Sequence, residues 1–104
     1  MKINVLKLTT KGELVQMWIF PDVTELRRVL GGPIDSINLF EGVQSFIRRV
    51  SEEHSLEENV FLPGIYGDIV FTCGHGSYLA GIPIEKMSSL IKFFRKERAT
   101  NGKA

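Results

Sequence analysis

The chain has 104 residues, 43% of them hydrophobic and 24% charged, with a formal net charge of +1. That is enough chain for one core and one domain, with the composition of an ordinary globular protein. The near-neutral charge argues against a nucleic-acid binder, no apolar run approaches the roughly 20 residues that cross a bilayer, and Met1-Lys2-Ile3 starts no signal peptide.

The expected setting is therefore the cytoplasm, with no membrane partner. Cys73 is the only cysteine, which excludes an internal disulfide and a zinc cluster, so packing alone must hold the fold. No cofactor or metal is expected.

Ile3 to Leu8 and Leu14 to Ile19 are apolar runs around Thr9-Thr10-Lys11-Gly12, and they read as a β-hairpin whose glycine supplies a positive-φ turn residue. Asp22 can cap a helix in which Val23, Leu26, Val29 and Leu30 recur at helical spacing, with Glu25 completing a capping-box-like pattern. Gly31-Gly32-Pro33 stops that helix.

Ile34 to Phe40 and Val43 to Val50 read as two more strands around a Glu41-Gly42 turn. Ser51 to Asn59 is polar and acidic without periodic apolar positions, which predicts a surface loop and the best place for local mobility. Asp68 to Cys73 reads as a fifth strand ended by Gly74-His75-Gly76-Ser77. Pro83 suits the first turn of a second helix, with Ile84, Met87, Leu90, Ile91 and Phe94 on one face.

The order ββαβββα lacks the alternation of parallel βαβ units. It predicts an α+β fold: a mostly antiparallel sheet of about five strands with two helices packed on one face. The domain is expected over 1–98, with 99–104 as a frayed tail.

Three stretches carry a family likeness: Val23-Thr24-Glu25-Leu26-Arg27-Arg28-Val29-Leu30-Gly31-Gly32-Pro33-Ile34-Asp35, Leu62-Pro63-Gly64 with Gly67-Asp68-Ile69-Val70-Phe71, and the closing helix with Phe93-Phe94. Together they resemble a phage- and plasmid-associated family of unknown function, the domain of unknown function 3846 type. The likeness runs along the chain to about residue 94 and contains no nucleotide-binding or catalytic signature. The middle departs from it, being short and carrying Glu58-Asn59-Val60-Phe61 where the family has a polar Asn-Arg-type segment. What the resemblance implies is a setting, an accessory gene of a virus or mobile element, and hence a counter-defence role of capturing a host molecule.

The residues offer few chemical constellations. Cys73 and His75 lie two apart without a third group to orient a base, and the two histidines, His54 and His75, form no metal-ligand spacing. The glycine clusters match no phosphate-loop fingerprint. No catalytic residue is assigned, and a non-enzymatic protein is expected.

A ligand pocket is expected from Tyr66, His75, Ser77 and Tyr78, with Arg48 or Arg49 holding an anionic group bidentately. Adjacent strand residues point to opposite faces, so one of the two arginines must share the face of Phe46 or Ile47; a salt bridge or a snorkelling side chain is the plainer reading. Trp18, Arg27, Arg28, Lys92, Arg95 and Lys96 are the expected interaction surface, set against core packing for Trp18 and solvated faces for the rest. The leading expectation is capture of a small anionic, nucleotide-type host molecule, with homo-oligomerisation as a further feature. The alternative is a module that inhibits or adapts a host protein.

Overall fold

The computed structural model describes residues 1–49, 56–76 and 78–101. Eight elements follow in chain order: β1 (Ile3–Leu8), β2 (Leu14–Ile19), α1 (Val23–Leu30), β3 (Ile34–Phe40), β4 (Val43–Arg48), β5 (Ile69–His75), β6 (Tyr78–Ala80) and α2 (Ile84–Asn101). The fold is α+β, with an antiparallel sheet in the order β2-β1-β5-β4-β3 and β6 paired to the end of β5.

Local chemistry explains the boundaries. Gly12 at φ 87° and Gly42 at φ 75° close the β1–β2 and β3–β4 turns in the left-handed region that glycine enters without a Cβ clash. Asp22 Oδ1 accepts from the Glu25 N–H at 2.8 Å, satisfying one of the free donors at the start of α1. Gly31, at φ 91°, ends α1 and donates its N–H to the Arg27 carbonyl.

The helices pack on opposite faces of the sheet, which corrects the expectation of a single helical face. Leu6, Leu8, Ile47, Ile69 and Phe71 form one core with Met87, Leu90 and Phe94 of α2. Val5, Phe46 and Val70 form the other with Leu26 and Leu30 of α1. The cause is strand alternation: neighbouring apolar residues on β1, β4 and β5 project to both sides, and each side needs a cover. β5, in the middle, is buried at Ile69, Val70, Phe71 and Thr72 alike.

Other boundaries shift. β5 extends through Gly74 and His75 and turns back as β6, a sixth strand not foreseen. β4 ends at Arg48, and residues 50–55, which hold most of the expected 51–59 loop, lie outside the described residues. α2 continues to Asn101, past the expected tail boundary, while Ile84 is 80% exposed and does not join its buried face. With Pro83 at the helix start, Ile84 occupies the first turn, before α2 comes down onto the sheet at Met87. Among the described residues no helix is long and apolar enough to cross a membrane.

Candidate functional site

The antiparallel registers give the sheet two distinct ends. Gln44 pairs with Thr72 and Phe46 with Val70, so Arg48 lies toward the start of β5, whereas the β3–β4 turn lies toward its finish. At the start gather the β1–β2 turn, the 56–68 segment and the C-terminus of α1. At the finish gather the β3–β4 and β5–β6 turns.

This polarity separates the expected pocket residues. Tyr66 precedes β5, bridged through its backbone to Glu58, while His75 ends β5 opposite Tyr78. The 7 residues of β5 hold them about 20 Å apart at the usual strand rise. Ser77 lies outside the described residues.

Neither arginine reaches His75. Arg48 shares the α1 face with Phe46, and its guanidinium lies across Gly31 and Gly32. A cation there faces the carbonyl end of α1, which favours positive charge. Arg49 lies beyond β4, exposed, with Nε 4.0 Å from Asp35 Oδ1. The arrangement answers the question of which arginine turns inward: Arg48 does, packed over a glycine pair.

The expected interaction residues also divide. Trp18 is 64% exposed on β2, an edge strand. Arg27 and Arg28 are exposed on α1, with Arg28 ion-paired to Glu25 at 3.0 Å. Lys92, Arg95 and Lys96 are exposed on α2 and so belong to the opposite face. One docking surface cannot hold all three groups.

What the structure does assemble is an open basin of about 660 Å³ between the β3–β4 hairpin and the end of β5. Ser36, Asn38, Glu41, Gln44 and His75 line it, together with Phe40 and the backbones of Gly42, Gly74 and Gly76. The Gln44 side-chain amide donates to the Tyr78 carbonyl at 3.2 Å, tying β4 to β6. Gly74, at φ 115°, brings β6 so close that any β-carbon there would collide with the Tyr78 carbonyl. Among the described residues the basin presents amide, hydroxyl and imidazole groups and one carboxylate, and no lysine or arginine lines it.

The basin volume lies within the range of small-molecule sites, and its lining is matched to uncharged hydrogen-bonding groups more than to phosphate. Sequence reasoning found His75 but missed Ser36, Asn38 and Gln44. Their signal was weak: polar residues alternating in strands read as a solvated face.

A catalytic pair does not form here. The Cys73 thiol is a free, half-buried group whose hydrogen bond goes to the Gly42 carbonyl at 3.5 Å, not to His75. Among the described residues no cluster of three or more His, Cys, Asp or Glu side chains could hold a metal ion.

No family model matches the chain, and no curated protein or solved structure matches it either.

Proposed function

We propose that this protein is a non-enzymatic binding protein, an accessory product of a phage or mobile element, that captures a nucleoside-type host molecule in the basin at the β3–β4 and β5–β6 turns. The observation that supports this is the convergence of Ser36, Asn38, Gln44 and His75 on one open cavity of about 660 Å³. Asparagine and glutamine amides pair with the donor and acceptor edges of a base or sugar, and a histidine ring adds a stacking or hydrogen-bonding group. Among the described residues no lysine or arginine lines the basin, and the nearby Lys86 donates to the Gly42 carbonyl at 3.4 Å, which favours the base and sugar as the recognised part. The alternative is a host-protein partner that docks on the exposed Trp18 edge or on one of the two basic helices, whose charged residues lie on opposite faces.

Native mass spectrometry of protein purified from its natural host, followed by denaturation, tests the reading. A bound base, nucleoside or nucleotide is expected, as is a thermal shift with the same compound. Saturation at about 100 times Kd adds about 2.7 kcal/mol, hence a rise in Tm of roughly 10 °C or more. Gln44→Ala and His75→Ala should abolish the shift. An empty protein with no shift across a panel of bases, nucleosides and nucleotides would sink the proposal, as would binding that survives both substitutions.

A further inference from the structure

The two edges of the sheet are built differently. β3 carries Asp35, exposed Ser36 and Asn38, and a register irregularity between Ile37 and Phe40. Charges, polar side chains and bulges of this kind stop an edge from pairing with another chain. β2 has neither a charge nor a register break. Its 6 residues, Leu-Val-Gln-Met-Trp-Ile, contain no charge and no proline, and they pair with β1 in unbroken register from Ile3↔Ile19 to Leu8↔Leu14. Trp18 is 64% and Val15 40% exposed along it.

We propose that a second copy of this chain occupies that edge, by antiparallel pairing of β2 with β2 about a twofold axis at Gln16. An axis perpendicular to the sheet keeps each face on its own side, so residues paired across it come from the same face. Centred on Gln16, Leu14 meets Trp18 of the partner subunit and Val15 meets Met17 of the partner subunit, each contact occurring twice. The one polar residue of the strand meets only itself, where two amides can hydrogen-bond.

Charge selects the same register. Lys11 comes opposite Pro21 of the partner subunit, beside the partner's Asp22. Glu13 comes opposite Ile19 of the partner subunit, next to the partner's Phe20, whose ring carries an ammonium group 5.2 Å from its centroid, that of Lys2. Both ends of the interface thus set acid beside base. The neighbouring register, centred on Met17, would set the polar Gln16 against Trp18 of the partner subunit and bring Glu13 as near to the partner's Asp22 as Lys11 is. The dimer leaves both basins open, since β1 and β5 separate β2 from β4. It stands independently of the proposed ligand.

Sedimentation velocity on the full chain, with site-directed crosslinking, tests this. The expected species has twice the mass of one chain. In a Cys73→Ser background, Gln16→Cys should form a disulfide dimer on mild oxidation with copper phenanthroline. Leu14→Cys and Met17→Cys, which lie off the axis, should not. Trp18→Lys should weaken dimerisation by about thirtyfold or more, the hot-spot threshold of ~2 kcal/mol converted at 1.4 kcal/mol per tenfold. The exposure of Trp18 means that this variant should keep the wild-type fold by circular dichroism. A monomer at all accessible concentrations overturns the proposal, whether the edge is free or reserved for another protein. Crosslinking through Met17→Cys, or equally through Leu14→Cys and Gln16→Cys, also overturns it.

Discussion

The guanidinium of Arg48 lies across Gly32, so close that a β-carbon at that glycine would meet Cζ and Nη2 at 2.8 Å. The contact joins the end of β4 to the end of α1 and turns an arginine that reads as an anion hook into a helix-terminus cation. Gly32→Ala should push the guanidinium away and cost about 1 kcal/mol by urea denaturation, with Arg48→Met costing a similar amount through loss of the charge at the helix end. The double variant should be less destabilised than the sum, because either change alone already breaks the contact. Additive losses would mean that the contact contributes nothing. Gly31→Ala should cost about 1–2 kcal/mol for a separate reason, its φ of 91°, and that loss should persist in the Arg48→Met background.

The elements that were legible in the sequence are those fixed by neighbours a few residues away. Asp22, Glu25 and Gly31 mark α1 because capping is local, and Gly12 and Gly42 mark hairpins because a turn is local. The side on which each helix packs is not local. Yet Ile69-Val70-Phe71-Thr72 held the clue: a short strand apolar at successive positions is one buried on both faces, which requires a layer on each side. The β5–β6 hairpin was hidden because Gly74-His75-Gly76-Ser77 reads as a terminator, whereas only the turn around Gly76 changes the chain's direction. The candidate site suffered most, because its polar residues come from three strands and only the register brings them together.

Gly74 cannot be replaced without loss of β6. Its φ of 115° is unfavourable for any L side chain, and a β-carbon would overlap the Tyr78 carbonyl, which is backbone and cannot swing aside. Gly74→Ala should therefore cost about 2–4 kcal/mol, at the upper end for a single substitution. If β6 detaches as a unit, amide hydrogen exchange should rise at Leu79 and Ala80 while β1 and β2 stay protected. Gly76→Ala, with open space around its β-carbon and φ of 57°, should cost only about 1 kcal/mol. Equal effects at the two glycines would contradict the close approach seen at Gly74.

Asn59 lies in a stretch that reads as a polar surface loop, but it is 1% exposed. Its amide donates to the carbonyls of Thr9 and Gly67 at 3.3 and 3.4 Å, and its Oδ1 accepts from the Phe61 N–H at 3.0 Å. With the Val60 N–H donating to the Thr10 carbonyl, this pins the 56–67 segment to the β1–β2 turn. Asn59→Ala takes the acceptor from the Phe61 N–H and the side-chain donor from the Gly67 carbonyl, and should cost about 2–3 kcal/mol in chemical denaturation. Asn59→Asp should be at least as damaging near neutral pH, since a carboxylate cannot donate to Thr9 and Gly67 and would be buried with its charge. A loss below about 0.5 kcal/mol for both variants would return Asn59 to the surface loop that its neighbours suggest.

Glu25 and Arg28, one helical turn apart, form a second testable pair. Arg28 donates through Nε at 3.1 Å and Nη2 at 3.0 Å, and these hydrogen bonds hold the Glu25 carboxyl below its usual range, a smaller desolvation effect opposing them. A carboxylate whose folded-state pKa is depressed adds stability at pH values above its unfolded pKa, and that contribution disappears as pH falls through the folded value. Glu25→Gln lacks the charge throughout. The stability difference between wild type and Glu25→Gln should thus be constant at neutral pH and shrink toward zero below about pH 4, in urea denaturations at matched ionic strength. The comparison cancels the acid titration of the other carboxylates, which both proteins share. Both partners lie at the protein surface, so raising the salt concentration should shrink the neutral-pH difference as well. A difference that grows on acidification would reverse the sign of the linkage and rule out a depressed carboxyl at this position.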